Sequence, residues 1–305
     1  VYGGVPLDLP EFRWTALAVV ASALSAIGLL FVWSVAVVSP SSANRALPVR
    51  IYLVAQWLAT GAPAAAWSSE VKILGPVYAW LTANALLFAF QVLVSTSERD
   101  HWGSRVARWI PRRWWLRGPA FLFYSGAAGG IAFALLLLGS TFLAAYLWME
   151  QHSSLALYDS GLGGMMTVGV GCLYGVGYCL LGVFLRSTFL TDRVRPGYTW
   201  VLATLLLGLG STLPSVLDFI VSYNEYGYRH ELPWWLYANP FVAVLDVADA
   251  RPGTWADVWK LNVVWFAVVW AALAALLCIP WAVRQVRLFH PPVRRPLPTL
   301  AEKAL

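Results

Sequence analysis

The 305-residue chain carries 59% hydrophobic side chains, only 12% charged ones and a net charge of +6, with a mean hydropathy of +0.65. Soluble domains hold about 25% charged residues, so a water-solvated globular fold is excluded and a polytopic all-α membrane protein is expected. The basic excess is accounted for by membrane orientation, and no nucleic acid is needed to explain it.

Val1–Arg13 has no initiator Met, no charged n-region and no cleavage site, so it does not read as a signal peptide. An outside segment VYGGVPLDLPEFRW is expected either from an earlier crossing, which would make this the C-terminal portion of a longer protein, or from a processed start. A hydrocarbon core is crossed by about 20 apolar residues in helical form. Seven segments meet that description, near Thr15–Val38, Ile51–Trp67, Ile73–Thr96, Pro119–Trp148, Gly161–Leu185, Gly197–Tyr223 and Leu261–Val283. The second, with Gly61 and Pro63, also suits a half-membrane hairpin. The whole chain, 1–305, reads as a single transmembrane domain with upstream spans over 1–72, a core over 73–283 and a basic tail over 284–305.

Charge orients these spans. The connections 39–50, 97–118 and 186–196, with the tail after Val283, hold 16 of the 21 Lys and Arg and 4 of the 15 acids. Short loops with such an excess stay on the side of synthesis, so seven crossings put Val1–Arg13 outside and the tail in the cytoplasm. The densest of these connections, SERDHWGSRVARWIPRRWWLRG, carries six arginines. Trp109, Trp114 and Trp115 are expected at the headgroup level, with the guanidinium groups reaching anionic lipid or a partner.

Catalytic chemistry is sparse. Cys172, Cys179 and Cys278 fall inside spans without metal spacing and read as packing residues. The four histidines lie in connections or the tail, so no span supplies a haem ligand, and no GxxxxGK[ST] phosphate loop occurs. No cofactor is expected. Gly126-x-x-x-Gly130 and Gly171-x-x-x-Gly175 put small residues on one helix face and are expected to let neighbouring helices approach. Asp218, four residues after Pro214, is an intramembrane carboxylate and a functional candidate; its nearness to Tyr223 equally suits a residue snorkelling to water. The outside segment Asn224–Trp259 contains Glu225, Tyr226, Tyr228, Arg229, His230 and Glu231, of which the His and acids are candidates for an acid-base pair. It continues as LPWWLYANPFVAVLDVADARPG, an apolar stretch too short to cross, broken at Asn239-Pro240, which reads as a re-entrant or interfacial hairpin anchored by Trp234, Trp235 and Tyr237.

Three features stand in a telling order: a basic connection opening Ser97-Glu98-Arg99-Asp100 after a span, a broken outside segment with Ala238-Asn239-Pro240-Phe241 before the last span, and a basic tail after it. That order resembles the permease subunits of ABC-2 type transporters, whose coupling region often carries an "ER" pair and whose final helix follows short re-entrant helices with an "NP" or "SP" pair. It covers Ile73 to Val283; the usual "GT" continuation is replaced by Trp102-Gly103-Ser104-Arg105. The resemblance implies a membrane permease moving a substrate with ATP hydrolysed by a separate ATP-binding subunit, in a homo- or hetero-oligomer of the bacterial cytoplasmic membrane. It also implies a coupling surface over Glu98, Arg99, Asp100, Arg105 and Arg108. A structural subunit of a larger membrane complex and a membrane-embedded enzyme using the outer cluster are the alternatives from other classes.

Overall fold

The computed structural model describes residues 10–39, 43–71, 74–100, 102, 104–152, 158–191, 193–223, 233–250, 257 and 261–291. Among them there are only helices and turns: α1 (Pro10–Val38), α2 (Ala46–Val71), α3 (Gly75–Thr96), α4 (Ser104–Trp109), α5 (Trp114–Phe123), α6 (Ala127–Gln151), α7 (Tyr158–Phe189), α8 (Thr199–Tyr223), α9 (Pro240–Ala250) and α10 (Asn262–Leu288). Six stretches are long and apolar enough to cross a membrane, namely Arg13–Val38, Gly75–Thr96, Ala127–Gln151, Leu162–Phe189, Pro196–Val221 and Asn262–Leu288. The chain is therefore an integral membrane helical bundle.

Two expectations are corrected. The segment 51–67 is not a half-membrane hairpin: α2 is one 26-residue helix that continues through Gly61 and Pro63. It runs antiparallel to the whole of α1, with Tyr52 Oη donating to Ser25 O (2.8 Å) and Trp14 stacked on Trp67. It is not among the six long apolar stretches, because even its uncharged part, 51–68, is diluted by Gln56, Thr60, Gly61 and Pro63. The span expected over Pro119–Trp148 is two helices, because α5 ends in extended backbone at Tyr124 and α6 starts after Gly126. Pro119 is carried within α5, where it lies in the sixth position of a short helix.

The core is built by α3, α6, α7 and α10 around Phe88, Val92, Ala134, Cys179, Val183 and Cys278, with Leu53 of α2 joining it. Lipid is as apolar as leucine, so side-chain burial alone gives helices little reason to associate, and close approach and polar bonds decide the packing. Both are present. The indole nitrogens of Trp57 and Trp80 donate to Thr141 Oγ1 (2.9 Å) and Thr60 Oγ1 (3.1 Å). A methyl group on Gly182 would lie 3.2 Å from the Ala203 backbone, and one on Gly177 would lie 2.6 Å from the Trp270 ring. Gly171 meets Val244 of α9, but Gly175 faces open space, so the expected Gly171/Gly175 pair packs through one member only. The three cysteines are free and buried. By contrast α1 has none of its apolar window buried; it hangs on α2, with Trp33 reaching Phe90 at 5.6 Å between centroids.

Candidate functional site

At one end of the bundle the chain turns from α3 into the basic connection. The hydroxyls of Thr96 and Ser97 bond back to Leu93 O (2.7 Å) and Val94 O (2.6 Å), which satisfies carbonyls that a helix end leaves open. The chain then points Glu98 inward. Its carboxylate accepts two bonds from Arg50 Nη2, at 2.7 and 2.8 Å, and one from the Gly126 N–H at 2.6 Å. Arg50 Nη1 donates to Leu122 O (2.7 Å) and Tyr124 O (2.6 Å). The guanidinium is fully buried in the first turn of α2 and lies 5.9 Å from the Phe133 ring. One side chain thus ties α2, the end of α3 and the break between α5 and α6.

The glycines here follow from that bond pattern. A methyl on Gly130 would sit 2.6 Å from Arg50 Nη2 and 2.5 Å from Ser95 Oγ, and one on Gly126 would press the Trp102 ring at 3.1 Å. The two glycines therefore admit side chains, Ser95 of α3 and the Arg50 guanidinium at Gly130 and the Trp102 ring at Gly126, rather than a helix backbone. Asn44 completes the joint: its Oδ1 accepts from Ser125 N and Oγ, both at 2.8 Å.

A second pair lies alongside. Arg186, in the last turn of α7 and 4% exposed, donates to both oxygens of Asp100, Nη1–Oδ2 at 2.5 Å and Nη2–Oδ1 at 2.9 Å. Phe289, just past α10, packs against Trp102, Phe121 and Tyr124. The five residues of the expected coupling surface accordingly divide. Glu98 and Asp100 are the inner partners of buried arginines, while Arg99, Arg105 and Arg108 are exposed. Arg112 and Arg113 are exposed too, beside Trp109, Trp114 and Trp115, so α4 and α5 present a basic and aromatic outer face on an inner layer of ion pairs.

The opposite half of the bundle holds the break at Asn239-Pro240. Residues Trp234–Ala238 form a 3₁₀ turn, and Pro240 starts α9, where its missing N–H is unneeded and its φ is preset for a helix. Asn239 is buried and works in two directions. Its Oδ1 caps α9 by accepting from Phe241 N (2.9 Å) and Val242 N (3.3 Å), while Nδ2 donates to Ser211 O (2.7 Å) and Ser215 Oγ (2.8 Å) of α8. From α7, Tyr174 Oη donates to Tyr237 O, and Tyr178 Oη to Ala238 O at 3.2 Å. The Tyr178 hydroxyl fills the place a side chain on Gly210 would take. Pro214, whose ring removes an N–H from α8, lies between the two serines.

Ser211 is 12 residues from the Tyr223 end of α8, about 18 Å at 1.5 Å per residue. The broken segment therefore reaches the middle of the bundle; it is not a surface anchor. Trp234 is exposed, but Trp235 and Tyr237 are half-buried, so only the first of the three expected anchors points outward. Asp218 is half-buried on the last part of α8. At the far end of α9, burial pushes the Asp246 carboxyl above its ordinary range and the charge of Asp249 adds to the effect. The cluster Glu225, Tyr226, Tyr228, Arg229, His230 and Glu231 lies outside the described residues.

Sequence reasoning missed Arg50, Arg186, Tyr174 and Tyr178. The two arginines fall among the connection charges in the sequence, although each stands in an apolar context, PVRIYL and VFLRSTF, that marks a helix end. The tyrosines carried no local signal. Comparison of the chain with protein-family models, curated proteins and solved structures returns no match.

Proposed function

We propose that the chain is the membrane-spanning permease subunit of an ATP-driven transporter of the ABC-2 type, with ATP hydrolysed by a separate subunit. The observation that carries this reading is the construction of the basic end. Helices α4 and α5 are too short to span, expose arginine and tryptophan outward, and are fixed inward by Arg50–Glu98 and Arg186–Asp100. A topological anchor needs only exposed basic residues. A surface that receives force from a soluble partner needs a stiff connection to the spans, and two buried arginines, each bonded to both oxygens of a part-exposed carboxylate, supply one.

The remaining architecture supports the same reading. A displacement of α4 and α5 would pass through Glu98 to α2 and α3, through Asp100 to α7, and through Phe289 to α10. Helix α10 packs against α9 at its start through Val263, Val264 and Ala267 and reaches the basic end at Phe289. It is about 40 Å long at 1.5 Å per residue, so it joins the two ends as a rod. The broken segment, held by bonds to side chains and carbonyls and not by continuous helix, is where a path outward would open by shifting packed elements.

In this reading the basic end is cytoplasmic, the membrane is the bacterial cytoplasmic membrane, and the exposed face of Arg99, Arg105 and Arg108 meets the ATP-binding subunit. Purification of the chain from its native membrane tests it. An ATPase that copurifies and hydrolyses faster in the complex is expected; turnover of a substrate by the chain alone, without ATP, would overturn the reading.

A further inference from the structure

The end of α10 and the turn between α7 and α8 carry arginines that the ion pairs of the basic end do not use. Arg284 and Arg287 of α10 and Arg193 and Arg195 of the turn are all exposed. Among the described residues none of the four has a side-chain hydrogen bond or ion pair. The described acids of this end do not offset them, since Glu98 and Asp100 are held inward by Arg50 and Arg186.

What adjoins these arginines identifies their partner. On α10 the buried Val263, Ala267, Ala274, Cys278 and Gln285 form the face toward the bundle. The opposite face carries Val269, Leu276, Ile279, Val283 and Val286, each at least 42% exposed, and residues three and four apart share such a face. Arg287, four residues after Val283, continues this lipid-facing strip, and Arg284 flanks it. From Asn262 to Arg287 the helix rises about 38 Å at 1.5 Å per residue, which is longer than the hydrocarbon core of about 30 Å and within the 40–45 Å that includes the headgroups. Helix α8 repeats the pattern: Tyr198 and Trp200 are exposed beside Arg193 and Arg195, and the exposed Leu205, Leu209 and Leu213 follow. Lipid that covers these strips must place its headgroups where the strips end. We infer that Arg193, Arg195, Arg284 and Arg287 hold the headgroups of anionic phospholipids, as a selective collar on the α7, α8 and α10 side of the basic end. Exposed tyrosine and tryptophan suit that depth. A zwitterionic headgroup brings its own positive charge and leaves the arginines uncompensated. An acidic soluble protein would match the arginines and leave the strips that run into them without their covering lipid. The collar rests on the membrane bundle and not on the permease reading.

The test uses the full chain alone, in nanodiscs of phosphatidylcholine with a minor share of phosphatidylglycerol. A photo-crosslinker at Val286, between the two arginines of α10, is compared with one at Val269 on the same face. Mass spectrometry of the adducts gives the ratio of phosphatidylglycerol to phosphatidylcholine captured at each position. One basic side chain at the membrane surface favours an anionic lipid about fivefold, so the two together should raise the ratio at Val286 about 25-fold over that at Val269. Arg284→Gln with Arg287→Gln should bring the two positions within about twofold, while Arg284→Lys with Arg287→Lys should keep most of the difference. Raised ionic strength should shrink the difference in the unsubstituted protein, which checks charge selection without any variant. A crosslinker at Tyr198 should show the same enrichment and lose it in Arg193→Gln with Arg195→Gln. Equal ratios at Val286 and Val269, or enrichment that survives loss of the adjoining arginines, would overturn the collar. Capture of a protein instead of lipid from Val286 in the native membrane would overturn the lipid assignment in favour of a protein partner.

Discussion

Arg50 shows how a buried charge is tolerated in a lipid-solvated protein. Removing a guanidinium from water is costly unless it is paired and hydrogen-bonded, and here one terminal nitrogen serves two carbonyls and the other a carboxylate, which leaves only the buried Nε without a partner. Lysine has no planar fork with which to do this. Arg50→Ala, Arg50→Lys and Glu98→Ala should each lower stability by about 3–5 kcal/mol, the usual result of breaking one side of a buried pair. Arg99→Ala, one residue away but exposed, should stay within about 0.5 kcal/mol. Thermal unfolding in detergent measures all four, and similar shifts for Glu98 and Arg99 would contradict the inward and outward division. That division was not legible in the sequence. "ER" is visible as a pair of neighbours, but Glu98 meets its partner 48 residues upstream and Asp100 meets Arg186 86 residues downstream. Separations of this size carry no local pattern.

At the scale of elements, the apolar runs were legible because lipid demands long uninterrupted helices, and the break at Asn239-Pro240 was legible because a proline and a capping residue stand together. The start of α6 was not read, although Ser125-Gly126 is a turn dipeptide, because the break is held open by the distant Arg50, which takes the carbonyls of Leu122 and Tyr124. The depth of the broken segment was hidden for a similar reason: it is set by Tyr174 and Tyr178 on another helix. Single cysteines at Trp234 and Asp249, both exposed, should label from the same side in a background without the three native cysteines. Labelling from opposite sides would mean that the segment crosses. Asn239→Ala removes a helix cap, which costs about 1 kcal/mol, and the interhelical bonds to Ser211 and Ser215, each about 0.6 kcal/mol; a drop near 2 kcal/mol in unfolding free energy is expected. The raised Asp246 carboxyl means that the folded state binds its proton more tightly than the unfolded state. The folded state is therefore penalised as pH rises through the carboxylate range. Asp246→Asn should raise the unfolding temperature at neutral pH and lose that advantage under acid; an equal gain at both would assign the effect to something other than charge.

For the whole molecule, the six apolar helices and α2 place 43–50, 97–100, 102, 104–126, 186 and 289 together at one end. This is the end where the connections also hold most of the Lys and Arg. Charge counting therefore grouped the correct segments without revealing that two of the arginines are internal. In the proposed reading this end is a rigid landing surface for an ATPase. Photo-crosslinkers at Arg105 and Arg113, both exposed on the basic face, and at Trp234 on the broken segment test it directly when the chain is purified from its native membrane. An ATP-hydrolysing subunit is expected to be crosslinked from Arg105 and Arg113 and not from Trp234. A complex without any ATPase, or an ATPase captured only from Trp234, would contradict it.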